Sequence, residues 1–537
     1  MLSPFSSGRP GASAARVGAI LALCLLSGCT SIRQWWHNGF KVGPNYGRPP
    51  APVAEQWIDA ADPGVQSQGA DYSFWWTAFQ DPLLDELVAT ACRQNLPLKV
   101  AGMRILEARA RRGVAAGNLF PQKQQMTGQY TRNEFSDNAF PFGSFPFKKH
   151  YDDWITGFDA AWELDVWGQL RRGIEAADAN LNAEIEGYDD VLVILQAEVA
   201  AAYVQMRTVE ERLELARENL HLQSKTLRIV RDRFEQGIVS ELDVRQAGAA
   251  LNATESLIPT LEESRRKLQN ALCTLMGMPP QELHLDQRGP QVIPEAPAEI
   301  VVGIPAELLR RRPDVRRAER QAAAQCAQIG ITEAELYPHF AITGRIALNA
   351  ENFSELYAWD SIAASVGPGF QWNILNYGRI RNNVRVQEAR FQQAVLGYQD
   401  TVLKANREVE DAIVAFLREK VRREALTRSV AETEKATQIA LIQYEQGIID
   451  YQRVLDTQRA LLLQQDSLAE SRGKVAVNLI AVYKAIGGGW QMRLAAAGSQ
   501  AVVAELPPVE EPRPIDEPPL PPLPAPSVPN AGPARPE

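Results

Sequence analysis

A chain of 537 residues is long enough for several domains of the usual ~100–200 residues. Its net charge of -9 argues against nucleic acid as the main partner, and its 45% apolar content is that of an ordinary folded protein. No run of about 20 apolar residues follows the N-terminal segment, so no spanning helix is expected; short alternating barrel strands would escape a hydropathy average, which leaves a membrane role open.

The first element is a targeting segment. Arg9 and Arg16 precede a short apolar core at 17–26, too short to span a bilayer and suited to a secretory signal peptide over residues 1–28. The core ends in Leu26-Ser27-Gly28-Cys29, which resembles the bacterial lipobox, so Cys29 is the expected lipidation site, with N-acyl and S-diacylglycerol groups. Several acyl chains make a stable anchor at about 0.8 kcal/mol per buried methylene. Thr30 rather than Asp follows, which favours outer-membrane sorting. A plain signal peptide cut nearby is the alternative. With Cys24 removed and Cys29 modified, Cys92, Cys273 and Cys326 remain without C-x-x-C spacing; they read as small buried hydrophobes rather than a disulfide framework.

Residues 29–82 form the lipidated, extended N-terminal segment, and beyond them the chain is written twice. WELDVWGQLRRGIEAA (162–177) aligns with WNILNYGRIRNNVRVQ (372–387), matching Trp162 to Trp372, Gly168 to Gly378 and Arg171 to Arg381. The same offset pairs RFEQGIVSELDV (233–244) with QYEQGIIDYQRV (443–454), and Gly277 with Gly487. GVAAGNLFP (113–121) aligns with GITEAELYP (330–338) at a slightly longer offset, absorbed by a longer loop in the first copy. The expected organisation is a first repeat over 83–281, an equatorial connector over 282–302, a second repeat over 303–490 and a C-terminal segment over 491–537.

Each repeat opens with a helix, near 95–118 and 314–336, and continues into a strand pair: 124–132 with 153–165, then 340–349 with 364–374. In 153–165, Trp154, Thr156, Phe158, Ala160, Trp162 and Leu164 share one face and mostly charged or small residues the other, with Ile155 the exception. Val366, Phe370, Trp372 and Ile374 form the apolar side of the last strand. Near bilayer-crossing length and aromatic at their ends, these strands match a transmembrane barrel with a wet lumen. Four such strands cannot close, and unpaired backbone groups in hydrocarbon cost several kcal/mol each, so copies of the chain must share one barrel.

A helical hairpin ends each repeat, at 168–276 and 378–486. The runs 168–236 and 378–446 contain no proline and would each be on the order of 100 Å long. Each turns at Glu-Gln-Gly-Ile, where Gly supplies the positive φ that stops a helix, and Ser240 or Asp450 can cap the returning helix. Helices of this length read as coiled coil. Pro259 should kink one returning helix. The Pro-rich, acidic end of the chain, 505–537, reads as disordered.

Together with the lipobox, VGPNYGRPPAP (42–52), FWWTAFQDPLLDELV (74–88) and GIPAELLRRRPDVRRAE (303–319) resemble the TolC-like outer-membrane efflux proteins, specifically their OprM/NodT-type lipoprotein branch. The likeness covers nearly all of Cys29 to about Gly489. It implies a mainly α fold with membrane β: a homotrimer giving four strands per chain to one 12-stranded β-barrel, continued by a periplasmic α-helical coiled-coil barrel with a mixed equatorial collar. It further implies the passive exit duct of a tripartite efflux pump for small molecules. The partners would be a periplasmic adaptor (membrane fusion protein), an inner-membrane RND-type transporter and outer-membrane lipid.

The same resemblance makes the hairpin tips, Gly237, Ile238, Gly447 and Ile448, the expected adaptor contacts. VLDTQRALL (454–462) matches the acidic periplasmic gate, so Asp456 and Arg459 are the gate candidates; carboxylates ringed about a narrow axis would exclude or coordinate cations. Gln246 stands at the position of Asp456 in the first repeat. No catalytic residue, cofactor or metal is expected: His37, His150, His221, His284 and His339 have no metal spacing, and no G-x-S-x-G or P-loop occurs. A type I protein-secretion duct of the same fold and a structural coiled-coil lipoprotein remain as alternatives.

Overall fold

A strand pair, a 67-residue helix and a 35-residue returning helix recur twice along the computed structural model, which describes residues 31–66, 71–134, 149–283, 292–297 and 299–494. The signal segment, Cys29, Thr30, His284 and residues 505–537 lie outside the described residues. The described residues up to Trp490 form one compact unit, and the few described residues from Gln491 belong to a second. Among the described residues no helix is long and apolar enough to cross a membrane.

The first unit begins with α1 (Ile32–His37), an extended strap and β1 (Val65–Gln66), followed by α2 (Pro82–Gln94) and α3 (Leu96–Gly117). Asp81 caps α2 by accepting from the N–H groups of Leu83 and Leu84, with Pro82 in the first turn. β2 (Lys123–Glu134) and β3 (His150–Leu164) lead to α4 (Gln169–Glu235) and α5 (Glu241–Leu275). Past β4 (Ile300–Val301), which pairs in parallel with β1, come α6 (Pro305–Arg311) and α7 (Pro313–Ala334). β5 (His339–Ala350), β6 (Ile362–Gln371), α8 (Arg379–Glu445) and α9 (Tyr451–Ala485) complete the order.

At about 1.5 Å per residue, α4 and α8 are each about 100 Å long. α4 lies beside α3, α5, α7 and α9, and α8 beside α7 and α9, so α7 and α9 bridge the two long helices. Alanines at 176, 179 and 183 are buried along α4 and let neighbouring backbones approach closely. At each tip a Schellman turn stops the helix: Gly237 (φ 73°) and Gly447 (φ 77°) donate to the carbonyls of Phe234 and Tyr444, and Ile238 and Ile448 to those of Arg233 and Gln443. Ser240 and Asp243 then form a capping box on α5, and Asp450 caps α9.

α5 continues through Pro259, which sits on an exposed face where the carbonyl deprived of its helical donor can be met by water. Two expectations need correction. β6 stops at Gln371, so Trp372 and Ile374 lie beyond the strand, and the Trp372 indole donates to the Leu336 carbonyl at 3.0 Å. Cys273 and Cys326 are buried free thiols, but Cys92 is only partly buried.

The strap is clamped where β3 turns into α4. Arg171 donates to the carbonyls of Gly39 (2.6 Å) and Phe40 (2.8 Å), and the buried Arg172 to those of Val42 (3.1 Å) and Gly43 (3.0 Å). Gly168 (φ 80°) has Lys41 so close that a Cβ would stand 2.7 Å from its Cα. Burial raises the Glu175 pKa, but hydrogen bonds from Lys41 and Arg172 outweigh it and leave it below the ordinary 4.5. A depressed carboxylate stabilises the fold above its unfolded value and stops doing so as pH falls through the folded one. The protection factors of the amides at 39–46, which correct for the pH dependence of intrinsic exchange, should therefore be high at neutral pH and fall as pH drops below the ordinary carboxylate value of 4.5. Gly168→Ala, strained and blocked at once, should cost about 1–3 kcal/mol in thermal unfolding, whereas Gly173→Ala, with open space at its Cβ, should be neutral or slightly stabilising.

Candidate functional site: the sheet faces and the helical tips

The four longer strands form one antiparallel sheet in the order β2-β3-β5-β6. Residues directly opposite one another in such a sheet share a face, and the register puts even-numbered positions together across all four strands. Met126, Phe158, Ile346 and Ala364 make one row, and Leu164, Phe340 and Phe370 another. The odd face is polar: Arg345 Nε is 3.5 Å from Asp159, Thr127 Oγ1 donates to Asp159 at 3.2 Å, and His339 Nδ1 lies 2.7 Å from Glu163. Ile155 belongs to this odd face, opposite Gln129 and Asn349.

The middle of the even face is exposed, while towards its ends Trp154 lies 5.0 Å from Phe353 and Trp162 donates to the Leu119 carbonyl at 3.0 Å. Phe158 is 63% exposed, Ile346 62%, Val366 82% and Phe370 71%. A contiguous apolar face of this kind needs an apolar medium. Aromatic residues mark both ends of it: Tyr130 stacks near Trp154 (4.3 Å between centroids) at one, and Phe340 lies near Phe370 (6.3 Å) at the other. From Trp154 to Leu164 the strand covers about 33 Å, or about 25 Å of height at a tilt near 40°, the span of an outer-membrane apolar band. Among the described residues, β2 and β6 each have one edge unpaired.

At the opposite end of the long helices the two hairpins meet. Leu227, Val230, Ala247 and Ala250 of the first form one buried cluster with Ala440, Tyr444, Tyr451, Val454 and Leu455 of the second. Arg233 reinforces it, donating to the Glu445 carbonyl at 2.7 Å with its guanidinium 4.6 Å from the Tyr444 ring. Ile238 (62% exposed) and Ile448 (65%) project beyond the cluster, and nothing surrounds Gly237 or Gly447.

Asp456 and Arg459 are both exposed on α9, one to two turns past the tip. Asp456 accepts from Gln452 of its own helix at 2.9 Å, and among the described residues it forms no ion pair with Arg459. Burial holds the Tyr451 phenol up at about 12, neighbouring Tyr444 adding to the shift and the Arg459 guanidinium offsetting part of it.

The polar ties to neighbouring helices are made by other residues, which sequence reasoning missed. Buried Gln458 donates to Thr226 Oγ1 on α4 at 2.9 Å. One heptad further, Asn219 donates to Gln465 at 2.8 Å. One more heptad on, Arg212 grips Asp466 with two bonds (2.7 and 3.0 Å) and Arg472 reaches Glu211 at 2.9 Å. The signal was the shared spacing: 212, 219 and 226 step against 458, 465 and 472 as facing layers of an antiparallel coiled coil. Gln458→Leu should cost about 1–3 kcal/mol in thermal unfolding by leaving Thr226 short of a donor, while Asp456→Ala should cost close to nothing in the same assay.

A membrane sheet with one wet face, continued by helical hairpins about 100 Å long, defines the class of outer-membrane channel proteins. Residues 87–278 and 304–488 match the model of the outer membrane efflux protein family, and the chain belongs to that family. Nodulation protein T of Rhizobium leguminosarum bv. trifolii is 30% identical over 473 residues, covering 87% of this chain and 96% of its own. The pyoverdine export outer membrane protein OpmQ of Pseudomonas putida is 30% identical over 427 residues, covering 78% of this chain and 88% of its own. The solved structure of the outer-membrane channel OprN matches with a TM-score of 0.77 at 31% identity, over 84% of this chain and 99% of that one.

Proposed function

We propose that three copies of the chain close their sheets into one 12-stranded barrel in the outer membrane and their hairpins into a periplasmic tube, forming the passive exit duct of a tripartite efflux pump. The observation that carries this reading is the sheet: apolar on even positions, polar on odd ones, and unpaired at β2 and β6. Open edges cannot face hydrocarbon, and a wet face has no use in a sheet that lies against lipid on both sides. Pairing β6 of one copy with β2 of the next satisfies both demands. Acyl groups on Cys29 tether each copy from the periplasmic side.

The exposed tip residues Gly237, Ile238, Gly447 and Ile448 suit contact with a periplasmic adaptor, which would join the duct to an inner-membrane transporter of the RND type. Asp456, exposed near the second tip and unconstrained by other helices of its own chain, suits a ring of carboxylates across the tube axis, with Arg459 beside it. Opening would loosen the polar layers that hold α9 to α4 and move the two tips of a chain together, since the cluster they share is apolar. Passage is driven by the transporter, so the duct needs neither cofactor nor catalytic group.

Mass measurement of the detergent-extracted protein should give three chains, and a stably folded monomer would contradict the shared barrel. In planar bilayers Asp456→Ala should raise conductance and lower cation preference, with Gln246→Ala as the neutral counterpart from the first repeat. Unchanged conductance and selectivity in Asp456→Ala would remove this residue from the gate and leave the duct reading standing.

A further inference from the structure

α1 is a six-residue helix, IRQWWH, that the efflux reading leaves without a task. It is docked by Trp35, whose indole donates to the Val166 carbonyl at 3.3 Å and whose ring lies 5.5 Å from Trp167; Trp167 in turn stacks on Tyr337 at 4.5 Å. Val166 is two residues past the end of β3, so α1 sits at the helical end of the sheet, level with the aromatic row of Phe340 and Phe370. Trp35 explains the docking. It does not explain the next side chains.

Trp36 is 64% exposed and Phe40 40% exposed, their rings 5.0 Å apart edge to face. Phe40 has φ 62°, in the left-handed region that a bulky residue rarely takes. Gly39, at φ 65°, and the bond from the Phe40 N–H to the Trp35 carbonyl set that turn, and the two Arg171 bonds to the Gly39 and Phe40 carbonyls hold it. The strained turn sets the Phe40 ring edge to face against Trp35, 4.8 Å between centroids, and still leaves part of it and most of Trp36 exposed. Strain held by this much surrounding structure marks a functional position. Arg33 is exposed on the same short helix, giving a cationic residue beside two interfacial aromatics.

The geometry points to α1 and its strained turn as a second, non-covalent membrane anchor, with Trp36 and Phe40 inserted at the headgroup level of the bilayer's periplasmic leaflet. Continuity with the apolar face of the sheet supplies the occupant: the same lipid that covers Phe370 reaches α1 at the base of the strands. Cys29 lies two residues before Ser31, the N-cap of α1, so acyl chains there and the aromatic pair would enter the same leaflet. The acyl chains hold the chain to the membrane; the rings fix the depth and orientation of the strap that Arg171 and Arg172 clamp.

The inference rests on the outer-membrane reading, and the test separates the two. Variants Trp36→Cys, Phe40→Cys, Val366→Cys and Ile448→Cys of the full chain, each also carrying Cys92→Ala, are labelled with an environment-sensitive fluorophore and placed in phosphatidylethanolamine–phosphatidylglycerol vesicles; protein carrying Cys92→Ala alone supplies the blank. Labels at 36 and 40 should be blue-shifted, quenched by spin-labelled lipid and shielded from aqueous iodide, as at 366 and unlike 448. If 366 is lipid-quenched but 36 and 40 are iodide-quenched to the extent of 448, the anchor is overturned and the barrel stands. If 366 is itself iodide-quenched, the membrane reading fails with it. Position 33 is the fallback site should a change at 36 or 40 disturb the turn: Arg33→Cys is expected to report the headgroup region, and full iodide access there overturns the anchor equally.

Discussion

Backbone hydrogen bonding in a medium without water is the constraint on which the remainder of this protein depends. Inside one chain, β3 and β5 are paired on both sides, whereas β2 and β6 keep a row of unpaired groups each. Those rows cannot be left to hydrocarbon, and a four-stranded sheet cannot curl far enough to meet itself. In the proposed barrel, the demand for further strands is a demand for further chains. The helices inherit it: Gly168 and Gly378 turn directly from the sheet region into α4 and α8, so whatever number of copies closes the sheet also sets the number of helices in the tube.

The two copies of the repeat share their backbone and differ in what their side chains hold. The paired glycines keep nearly the same conformation, 80° and 78° at 168 and 378, 70° and 73° at 277 and 487. Around that common frame the uses diverge. Arg171 clamps the strap, whereas its counterpart Arg381 is exposed and meets no partner among the described residues. Gly168 is pressed against Lys41, whereas Gly378 has only the Asn382 amide near it, at 3.7 Å. The strap covers the start of only one long helix, so in the proposed duct the exposed start of the other would be free to face a neighbouring copy.

What the sequence made legible follows from whether a feature is local. Strand parity is carried by alternate residues and could be read before any fold was known, and so could the Glu-Gln-Gly-Ile turns, because only a left-handed residue stops those helices. The end of β6 was not legible: Trp372 continues the alternation, yet its indole is taken by a carbonyl on a different element, Leu336. Asp81-Pro82 announced α2 in plain capping chemistry and was read as part of a family motif instead. The β1–β4 pair joins two dipeptides far apart in the chain, beyond the reach of any pattern. Gln458, Gln465 and Arg472 look like solvated surface until α4 is placed against them. The gate candidates were legible as a motif, but the contacts that hold α9 were not.

That distinction bears on how the tips can move. The ties between α4 and α9 are polar, and the exposed one, Arg472 to Glu211, can be exchanged for water at a net cost of about 0.5–1.5 kcal/mol, whereas the buried Gln458–Thr226 pair costs about 1–3 kcal/mol to leave unmade. The cluster at the tips is different in kind: burying each of its larger side chains is worth about 1.5–3 kcal/mol, and water offers no substitute. Tyr444, Tyr451, Val454 and Leu455 are joined there to Leu227 and Val230 of the other hairpin, with Arg233 bonded across the junction. A motion that peels α9 from α4 at the tip must expose all of these at once. A motion that loosens the polar layers nearer the equator, where Gly473 brings the helices so close that a Cβ would stand 2.1 Å from the Thr208 hydroxyl, leaves the cluster whole. In the proposed trimer, the cheaper opening would therefore carry both tips of a chain outward together and change the spacing between chains, which would place the resistance to opening in contacts between copies.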